Sequence, residues 1–187
     1  MIQIMSTSLI ETLCGMAARS RAVPAGQYLF RRGDKVGNLF VPLQGRVDLI
    51  RHSADGVPIV LQRAGVGEVV AEASLFSDAY HCDARSDTGA SLAVISRDSF
   101  RERLRNDPDF GEMWARYLAR EIQGLRFHCE VLSLRTVAAR LSAWSEWHGE
   151  MPPKGEWKQL ANQLGVSPEA LYRELAKRAG VSRPTQS

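Results

Sequence analysis

The sequence predicts an α+β fold, in which an antiparallel β-roll of the jelly-roll (double-stranded β-helix) type precedes a long helix and a C-terminal pair of short helices. Between residues 27 and 95, short segments of alternating hydrophobicity are separated by glycine-containing turns, a pattern typical of an antiparallel barrel or roll. Residues 110–134 then keep a helical period without interruption. Two shorter helical segments, 156–164 and 168–179, follow a break that contains two prolines. Strands followed by helices in this order indicate an α+β protein.

The composition is that of an ordinary soluble globular protein. The chain has 187 residues, of which 44% are hydrophobic and 24% charged, so it can form one large or two small domains. Its 24 Lys and Arg exceed its 21 Asp and Glu by three, and from residue 154 onward six basic residues accompany three acidic ones. The whole excess of positive charge can therefore be assigned to the C-terminal end, which suits a polyanionic partner.

The sequence also limits the cellular compartment and the kinds of functional site that we expect. It contains no apolar run of the roughly 20 residues that a membrane span needs. Glu11 and Thr12 interrupt the apolar positions of the first segment, which predicts a short amphipathic helix instead of a signal peptide, and we expect a cytoplasmic protein. Three widely spaced cysteines without a CxxC motif argue against a disulfide framework and a zinc ribbon. No nucleophile with a base, and no pair of carboxylates, stands at a spacing that predicts an enzyme.

The elements of the roll are predicted from their turn signals. Strands are expected at residues 27–30, 38–43, 46–51, 59–63 and 91–95. The turns between them contain glycine at positions 26, 33, 45, 56, 65 and 67, because glycine tolerates positive φ. After the roll, helices are expected at 97–106, 110–134 and 137–147, with Asp107-Pro108-Asp109 as the start signal of the long one.

The long helix carries two apolar stripes. The first has spacings of 3, 4, 3, 4 and 3 residues, a heptad seam that needs a partner, and consists of Ala115, Leu118, Ile122, Leu125, Cys129 and Leu132. The second consists of Trp114, Tyr117 and Phe127 and is expected to cover the chain's own N-terminal half. The seam predicts a parallel homodimer through its five positions from Leu118 to Leu132. The alternative is a buried helix of a monomer, because periods of 3.5 and 3.6 separate poorly over so short a run.

The last two helices have the sequence of a helix-turn-helix. Ala161 is small where the two helices would cross, and Gly165 suits the left-handed conformation of the turn. Ser167 can cap the second helix, with Pro168 at its first position. Together with the basic residues nearby, this motif indicates binding to double-stranded DNA. The alternative is a helical hairpin used only for packing.

In such a motif the first turns of the second helix face the major groove. Here they carry Ser167, Glu169, Ala170, Arg173 and Lys177. Arg173 could pair with guanine and Glu169 could accept from cytosine, each with about 1–3 kcal/mol of discrimination between bases. A second role for Glu169 is to stabilise the N-terminus of its own helix.

These elements together resemble the family of the cyclic-AMP receptor protein and the fumarate-nitrate reductase regulator, across residues 8–180. The motifs that carry the resemblance are Gly33-Asp34, the run Leu-Gln-Gly-Arg-Val at 43–47 and the run Gly-Glu-Val-Val-Ala-Glu-Ala-Ser-Leu-Phe at 67–76. The last run is similar to the family's phosphate-binding cassette, in which a glutamate binds the ribose of a cyclic nucleotide and a following Arg-Ser or Arg-Thr pair binds its phosphate. The resemblance implies a homodimeric transcription regulator that binds DNA and RNA polymerase, with Glu72 as the ribose ligand.

The second half of the cassette departs from the family pattern. Where Arg-Ser-Ala is expected, the chain has Cys82-Asp83-Ala84. A carboxylate about 4 Å from a phosphate costs about 4 kcal/mol at an effective dielectric constant near 20, and the cationic anchor is lost as well. We therefore expect an effector other than cyclic AMP. Arg85 lies close in sequence and is kept as a candidate effector ligand.

Two His-Cys dipeptides stand in the region that the resemblance assigns to the effector. His81-Cys82 lies in the former phosphate loop, and His128-Cys129 lies on the long helix. Imidazole and thiolate suit Zn(II), Cu(I) or a haem axial position. The sequence thus predicts a transition-metal, haem or thiol-redox input through these four residues. An organic ligand, or no effector, is the alternative, because Cys129 on a seam also suits plain packing.

The C-terminus departs from the family as well. The family normally adds a β-hairpin wing after the second helix of the motif, whereas residues 180–187 are too few and too polar for one. DNA contact is therefore expected to rest on the helix and a flexible basic tail. The sequence predicts a sensor β-roll at 1–109, a dimerisation helix at 110–134 and a DNA-binding domain at 135–187. The competing hypothesis is a β-roll sensor or interaction protein without specific DNA binding.

Overall fold

The computed structural model describes residues 2–181, and describes side chains for residues 8–179. The strands are β1 (Arg19–Val23), β2 (Tyr28–Phe30), β3 (Asn38–His52), β4 (Pro58–Ala64) and β5 (Asp83–Ser96). The helices are α1 (Ile2–Gly15), α2 (Arg97–Asn106), α3 (Pro108–Ser133), α4 (Val137–His148), α5 (Trp157–Gln163) and α6 (Pro168–Val181). Short 3-10 helices lie at Glu72–Ser74 and Lys154–Glu156. Strands followed by helices confirm the predicted α+β class.

The strands form an antiparallel sheet in the order β1-β5-β3-β4, with β2 also paired to β5. β5 therefore lies at the centre and pairs with β1, β2 and β3. The sequence predicted only residues 91–95 of this strand and did not predict β1. Residues 83–90 are mostly polar or small, so their strand conformation comes from pairing with β3 and not from local propensity.

Gly45 marks the point where β3 bends. Its φ is +74°, and a Cβ there would lie 1.9 Å from the carbonyl oxygen of Gly89, so only glycine fits. The pairing of β3 with β5 shifts on both sides of this residue, between Pro42 and Gln44 and between Gly45 and Val47. The turn predicted at 44–45 is therefore wrong. The two strands predicted around it are one continuous strand that changes direction at an irregularity in the ladder.

The chain divides into two compact units, with the boundary between Tyr117 and Leu118, inside α3. The core of the first unit lies inside the roll, where the ring of Phe30 stacks on that of Tyr80 at 3.7 Å between centroids. The start of α3 belongs to this unit: Trp114 packs edge-on against Phe100, and the hydroxyl of Tyr117 accepts a hydrogen bond from the amide of Val69 at 3.1 Å. Trp114 and Tyr117 thus cover the N-terminal half, as the sequence predicted.

The second unit has a core of its own. Its buried residues come from the end of α3 and from α4, α5 and α6: Val131, Leu141, Trp144, Leu160, Ala161, Leu164 and Leu171. The ring of Phe127 stacks on that of Trp147 at 4.5 Å and packs against this core. The prediction that Phe127 covers the N-terminal half is therefore wrong, because α4 offers it an aromatic partner within the second unit.

No helix among residues 2–181 combines the length and the apolar character that crossing a bilayer requires. The sequence prediction of three parts, at 1–109, 110–134 and 135–187, remains a prediction about how the chain divides in function.

Candidate functional site

The predicted seam lies on an exposed face of α3. Leu125 and Ile122 keep 62% and 48% of their surface in the single chain, and Leu132 keeps 39%. Ala115 and Cys129 are also exposed, and Leu118 is half-buried. In contrast, Trp114 on the other stripe is 4% exposed. The long helix therefore presents a row of large apolar side chains to solvent in one protomer.

The helix-turn-helix is formed by α5, α6 and the residues between them. Ala161 is fully buried at the point where the sequence predicted a close crossing. Gly165 has φ +61°, the left-handed conformation that was predicted for the turn. The amide of Val166 then donates to the carbonyl of Ala161 at 3.0 Å, which closes the end of α5. The local predictions for this motif are therefore confirmed.

The start of α6 is capped as predicted. The hydroxyl of Ser167 accepts a hydrogen bond from the amide of Ala170 at 3.2 Å, and Pro168 is the first residue of the helix. The helix runs to Val181, two residues beyond its predicted end. The tail from residue 182 onward, on which the prediction of basic contacts rested, lies outside the described residues.

The five residues predicted to face the groove run from Ser167, directly before α6, to Lys177 in the third turn of that helix. Ser167, Glu169, Arg173 and Lys177 are exposed, and Ala170 is half-buried. The pKa of the Glu169 carboxyl lies below its ordinary value, because it accepts hydrogen bonds from its own amide and from the Ser167 hydroxyl. Glu169 thus helps to cap the N-terminus of α6 in this structure. To accept a hydrogen bond from cytosine, its carboxylate would have to break the hydrogen bonds with these two donors.

Arg178 fixes α6 against α4. Its Nη2 donates to the carbonyl of Ala138 at 2.7 Å and to the hydroxyl of Ser142 at 3.0 Å, while its Nε donates to Glu174 Oε1 at 3.0 Å. Arg178 is therefore engaged within the protein, whereas Arg173 and Lys177 extend from the same helix into solvent. Of the three cations of α6, Arg173 and Lys177 are thus the two whose side chains are exposed.

The region of the first unit that was predicted to bind an effector begins with a turn at positive φ. Ala71 has φ +78°, the only positive φ at a non-glycine residue among the described residues. It leads into the 3-10 helix Glu72–Ser74, on which Glu72 is half-buried. The backbone thus bends sharply at the residue before the predicted ribose ligand, and the bend fixes where the helix starts.

Cys82, which stands where the family has arginine, is a core residue. It is 1% exposed and packs in the core of the roll with Tyr80 and Ala84. Burial, with a smaller contribution from the carboxylates of Glu72 and Asp83, raises the pKa of its thiol to about 11. The thiol is therefore protonated at neutral pH, and a protonated thiol is a poor nucleophile and a poor metal ligand.

Asp83 is held by the loop after β2. Its Oδ1 accepts from the amide of Arg32 at 2.7 Å, and its Oδ2 lies 3.8 Å from Arg31 Nη1 and 3.5 Å from His52 Nδ1. The argument from charge repulsion assumed an uncompensated carboxylate. The structure corrects this assumption, because each oxygen of Asp83 already has a donor or a cation beside it.

Arg85 is not brought to the same side of the sheet as Cys82. It is paired in register with Asp48 on β3, and side chains alternate along β5 so that Arg85 lies on the face opposite Ala84, which packs in the core with Cys82. Its charge helps to lower the pKa of Asp48, against the larger effect of burial, which raises it. Arg85 thus lies beside a buried carboxylate, and its role as an effector ligand stays a prediction.

His81 is tied to the 3-10 helix. Its Nδ1 and the hydroxyl of Ser74 are 2.7 Å apart, and its backbone carbonyl accepts from Arg51 Nε at 3.2 Å. Burial and then the nearby Arg51 lower the pKa of the imidazole, which favours its neutral form. The sequence did not predict that Ser74 and Arg51 contact His81, although Ser74 lies within the run 67–76.

The second His-Cys pair belongs to the other unit. His128 and Cys129 are both exposed on α3. His128 lines a cleft of about 200 Å³ together with Phe127, Trp144, Trp147 and His148. Within the described residues, no three His, Cys, Asp or Glu side chains are grouped so that they could hold a metal ion. The metal prediction for these four residues therefore gains no support from a preformed ligand set.

Sequence reasoning missed Arg140. It lies on the apolar face of α4, between Val137 and Leu141, and contacts backbone carbonyls at the ends of α3 and α5. A charged residue on the apolar stripe of an amphipathic helix is the signal that could have singled it out, because such a residue is buried only with partners.

Comparison with known proteins identifies the roll. Residues 20–107 match the family model of the cyclic nucleotide-binding domain. This range begins with β1 and ends after α2, so it covers the sheet and the effector region described above.

The similarity to curated relatives extends beyond the roll. The chain is 26% identical over 168 residues to the cyclic AMP receptor protein of Thermus thermophilus, a match that covers 89% of this chain and 73% of the relative. It is 23% identical over 164 residues to the cAMP-activated global transcriptional regulator CRP of Haemophilus influenzae, covering 87% and 71%. Among solved structures, the c-di-GMP responsive global regulator CLP of Xanthomonas campestris matches with a TM-score of 0.64 at 24% identity, covering 94% and 92%. Because each match covers 87% or more of this chain, the similarity extends past the roll into the C-terminal unit.

Proposed function

The chain belongs to the family of the cyclic-AMP receptor protein and the fumarate-nitrate reductase regulator, and on this premise we propose that it is a homodimeric, DNA-binding transcription regulator whose β-roll senses a signal other than cyclic AMP. The observation that carries the proposal is the exposed face of α6. A capped helix on a packed core presents Arg173 and Lys177 to solvent at the position where the motif meets DNA.

DNA binding is supported by the way α6 is fixed. Arg178 holds the helix to α4, and Leu171 is fully buried beneath it. The helix is thus rigid relative to its own unit, and a rigid helix can enter the major groove without a large cost in ordering. Arg173 is the residue proposed to contact a base, and Lys177 is proposed to contact phosphate.

Dimerisation is supported by the seam. Leu118, Ile122, Leu125, Cys129 and Leu132 form the proposed interface, and its large apolar side chains are exposed in the single chain. A parallel pairing along α3 would place two copies of α6 about a two-fold axis. Such symmetry predicts an operator with two half-sites about 34 Å apart.

An input other than cyclic AMP is supported by Cys82. A neutral, buried thiol replaces the cation that the family uses for the phosphate, whereas the carboxylate of the next residue, Asp83, is already engaged within the protein. The regulator CLP is described as responsive to c-di-GMP, so a protein of this fold can respond to another nucleotide.

The metal, haem or redox input remains a proposal, and the structure directs it away from Cys82. That thiol is buried and protonated, whereas Cys129 is exposed on α3. In the proposed parallel dimer the two copies of Cys129 would lie near each other across the seam with His128 beside them, so this position is the one proposed for oxidation or ligation. Titration of the purified protein with zinc, followed by elemental analysis, tests this input, and a Cys129→Ser variant that binds as much zinc as the parent would argue against it.

The proposed function is tested by electrophoretic shift with a library of genomic fragments at several salt concentrations. We expect a subset of fragments to be retained as salt is raised, because base contacts add to the salt-sensitive phosphate contacts. If raising the salt concentration weakens the binding of all fragments equally, and the Arg173→Ala variant behaves like the parent, the result would favour a β-roll sensor without specific DNA binding. Addition of cyclic AMP is expected to leave the shift unchanged. Co-purification of RNA polymerase with the protein on a retained fragment tests the further partner.

A further inference from the structure

The turns after α3 and α5 satisfy only some of the last carbonyls of these two helices: the amide of Leu134 donates to the carbonyl of Val131 at 3.2 Å, and that of Val166 to the carbonyl of Ala161 at 3.0 Å. α3 ends at Ser133 and α5 ends at Gln163, and the last carbonyls of a helix have no partner within it. Beyond these ends the chain continues into Leu134 in one case and into Leu164 and Gly165 in the other. Carbonyls at such positions require an outside donor when they are removed from water.

Arg140 supplies the donors for both ends. On the α3 side, its Nε donates to the carbonyl of Leu134 at 2.8 Å and its Nη2 to that of Leu132 at 2.9 Å. On the α5 side, its Nη1 donates to the carbonyls of Leu164 at 2.8 Å and Gly165 at 3.0 Å. One guanidinium is thus the shared C-terminal cap of two helices, and its positive charge suits the negative ends of both helix dipoles.

The geometry requires arginine. A guanidinium is planar and carries five N–H donors in a fixed fork, so it can satisfy acceptors on two sides at once. A lysine ammonium at the same site is a point donor on a flexible stem and cannot donate in fixed directions to all four carbonyls. The rigid guanidinium of Arg140 therefore fixes the end of α3 relative to the end of α5.

Gly165 brings the two ends into contact at the same place. A Cβ on this residue would lie 2.7 Å from Leu132 Cδ2 and 3.2 Å from Arg140 Nη1, and its φ is +61°. The turn of the helix-turn-helix is thus pressed against the last turn of α3. Three residues later α6 begins at Pro168.

We propose that Arg140 is a positioning residue that fixes the recognition helix α6 relative to the long helix α3, and so sets the spacing at which a dimer reads its two half-sites. This inference rests on the proposed function for its consequence on DNA, but its structural part concerns the second unit by itself. Arg140 contacts no base in this scheme and acts through the backbone that it holds.

The consequence is a change in spacing tolerance. Without the shared cap, each α6 keeps its own contacts with Arg178 and the core, so each half-site is still read. The orientation of α6 relative to α3 then varies, so operators with altered spacing are no longer rejected. An insertion of two base pairs moves a half-site by about 7 Å along the helix axis and rotates it by about 70°.

The first test measures that tolerance. The parent, Arg140→Lys and the control Arg135→Lys, which changes an exposed arginine five residues away, are titrated with an operator of selected spacing and with the same operator lengthened by two base pairs. The parent and Arg135→Lys are expected to prefer the selected spacing by about tenfold or more, and Arg140→Lys by less than about threefold. An unchanged preference in Arg140→Lys would overturn the inference. Gly165→Ala is a second variant, because its added Cβ would displace Leu132 and Arg140. It is also expected to reduce the preference for the selected spacing.

The second test needs no DNA. Nitroxide labels are attached at Arg126→Cys on α3 and Ala176→Cys on α6 in a Cys14→Ser, Cys129→Ser background, and label distances are measured by pulsed electron resonance after dilution with unlabelled protein. Arg140→Lys is expected to broaden the distance distribution, while Arg135→Lys leaves it narrow. Equal widths would overturn the inference even if DNA binding is confirmed. If the parent binds no operator specifically, the proposed function fails, and the label distances still decide the role of Arg140.

Discussion

Leu125→Glu is the sharpest test of the dimer, because Leu125 is the most exposed large apolar residue of the seam. It keeps 62% of its surface in the single chain, against 48% for Ile122 and 39% for Leu132. A parallel pairing would bring the two copies of Leu125 together across the two-fold axis. The substitution replaces this apolar contact by two carboxylates that face each other.

The expected loss can be worked from that exposure. Full burial of a leucine contributes about 1.5–3 kcal/mol, so covering the exposed part contributes about 1–2 kcal/mol per protomer and about 2–4 kcal/mol per dimer. Two carboxylates about 6 Å apart repel by about 3 kcal/mol at an effective dielectric constant near 20. The sum of about 5–7 kcal/mol corresponds to a rise of about four to five orders of magnitude in the dimer dissociation constant.

Sedimentation equilibrium at micromolar concentration checks this result. The parent is expected to sediment as a dimer and Leu125→Glu as a monomer. Gln123→Glu is the matched control, because it adds the same charge to an exposed position of α3 off the seam and should leave the dimer intact. A Leu125→Glu protein that sediments with the mass of the parent would show that the seam is not the interface.

Further predictions concern the recognition helix, the core and a buried thiol. Arg173→Ala should relax base preference at one position of each half-site by about 1–3 kcal/mol, and an unchanged profile in binding-site selection would count against its place in the groove. Phe100→Ala, at a fully buried ring beside Phe110 and Trp114, should lower the free energy of unfolding by about 3–5 kcal/mol in urea titrations; a loss under about 1 kcal/mol would contradict the described packing. Folding raises the pKa of Cys82 from 9.0 to about 11, so the native state keeps a proton that the unfolded chain loses, and the free energy of unfolding should fall as pH rises across this interval. Cys82→Ala should remove that part of the pH dependence, and identical pH profiles would refute the assignment.

Local patterns in the sequence were sufficient for the elements whose cause is local. The heptad spacing of α3 follows from helix geometry, and the structure leaves most of that stripe exposed in the single chain, while its pairing in a dimer stays a prediction. The helix-turn-helix was predicted because Gly165 and Ser167 each satisfy a requirement within a few residues of themselves. The α+β class likewise followed from the sequence pattern, in which segments with the hydrophobic period of strands precede segments with that of helices. Reading this pattern needs no knowledge of tertiary contacts.

The tertiary structure decided the features that depend on distant partners. β5 extends to Asp83 because β3 pairs with it, although the local sequence does not favour a strand. The carboxylate of Asp83 is oriented by the amide of Arg32, 51 residues away. This contact shows that Asp83 is not the uncompensated carboxylate that the sequence argument assumed. Arg140 reaches carbonyls 24 and 25 residues further along the chain. Such pairings become favourable only after the chain has closed the intervening loop, so no short stretch of sequence encodes them.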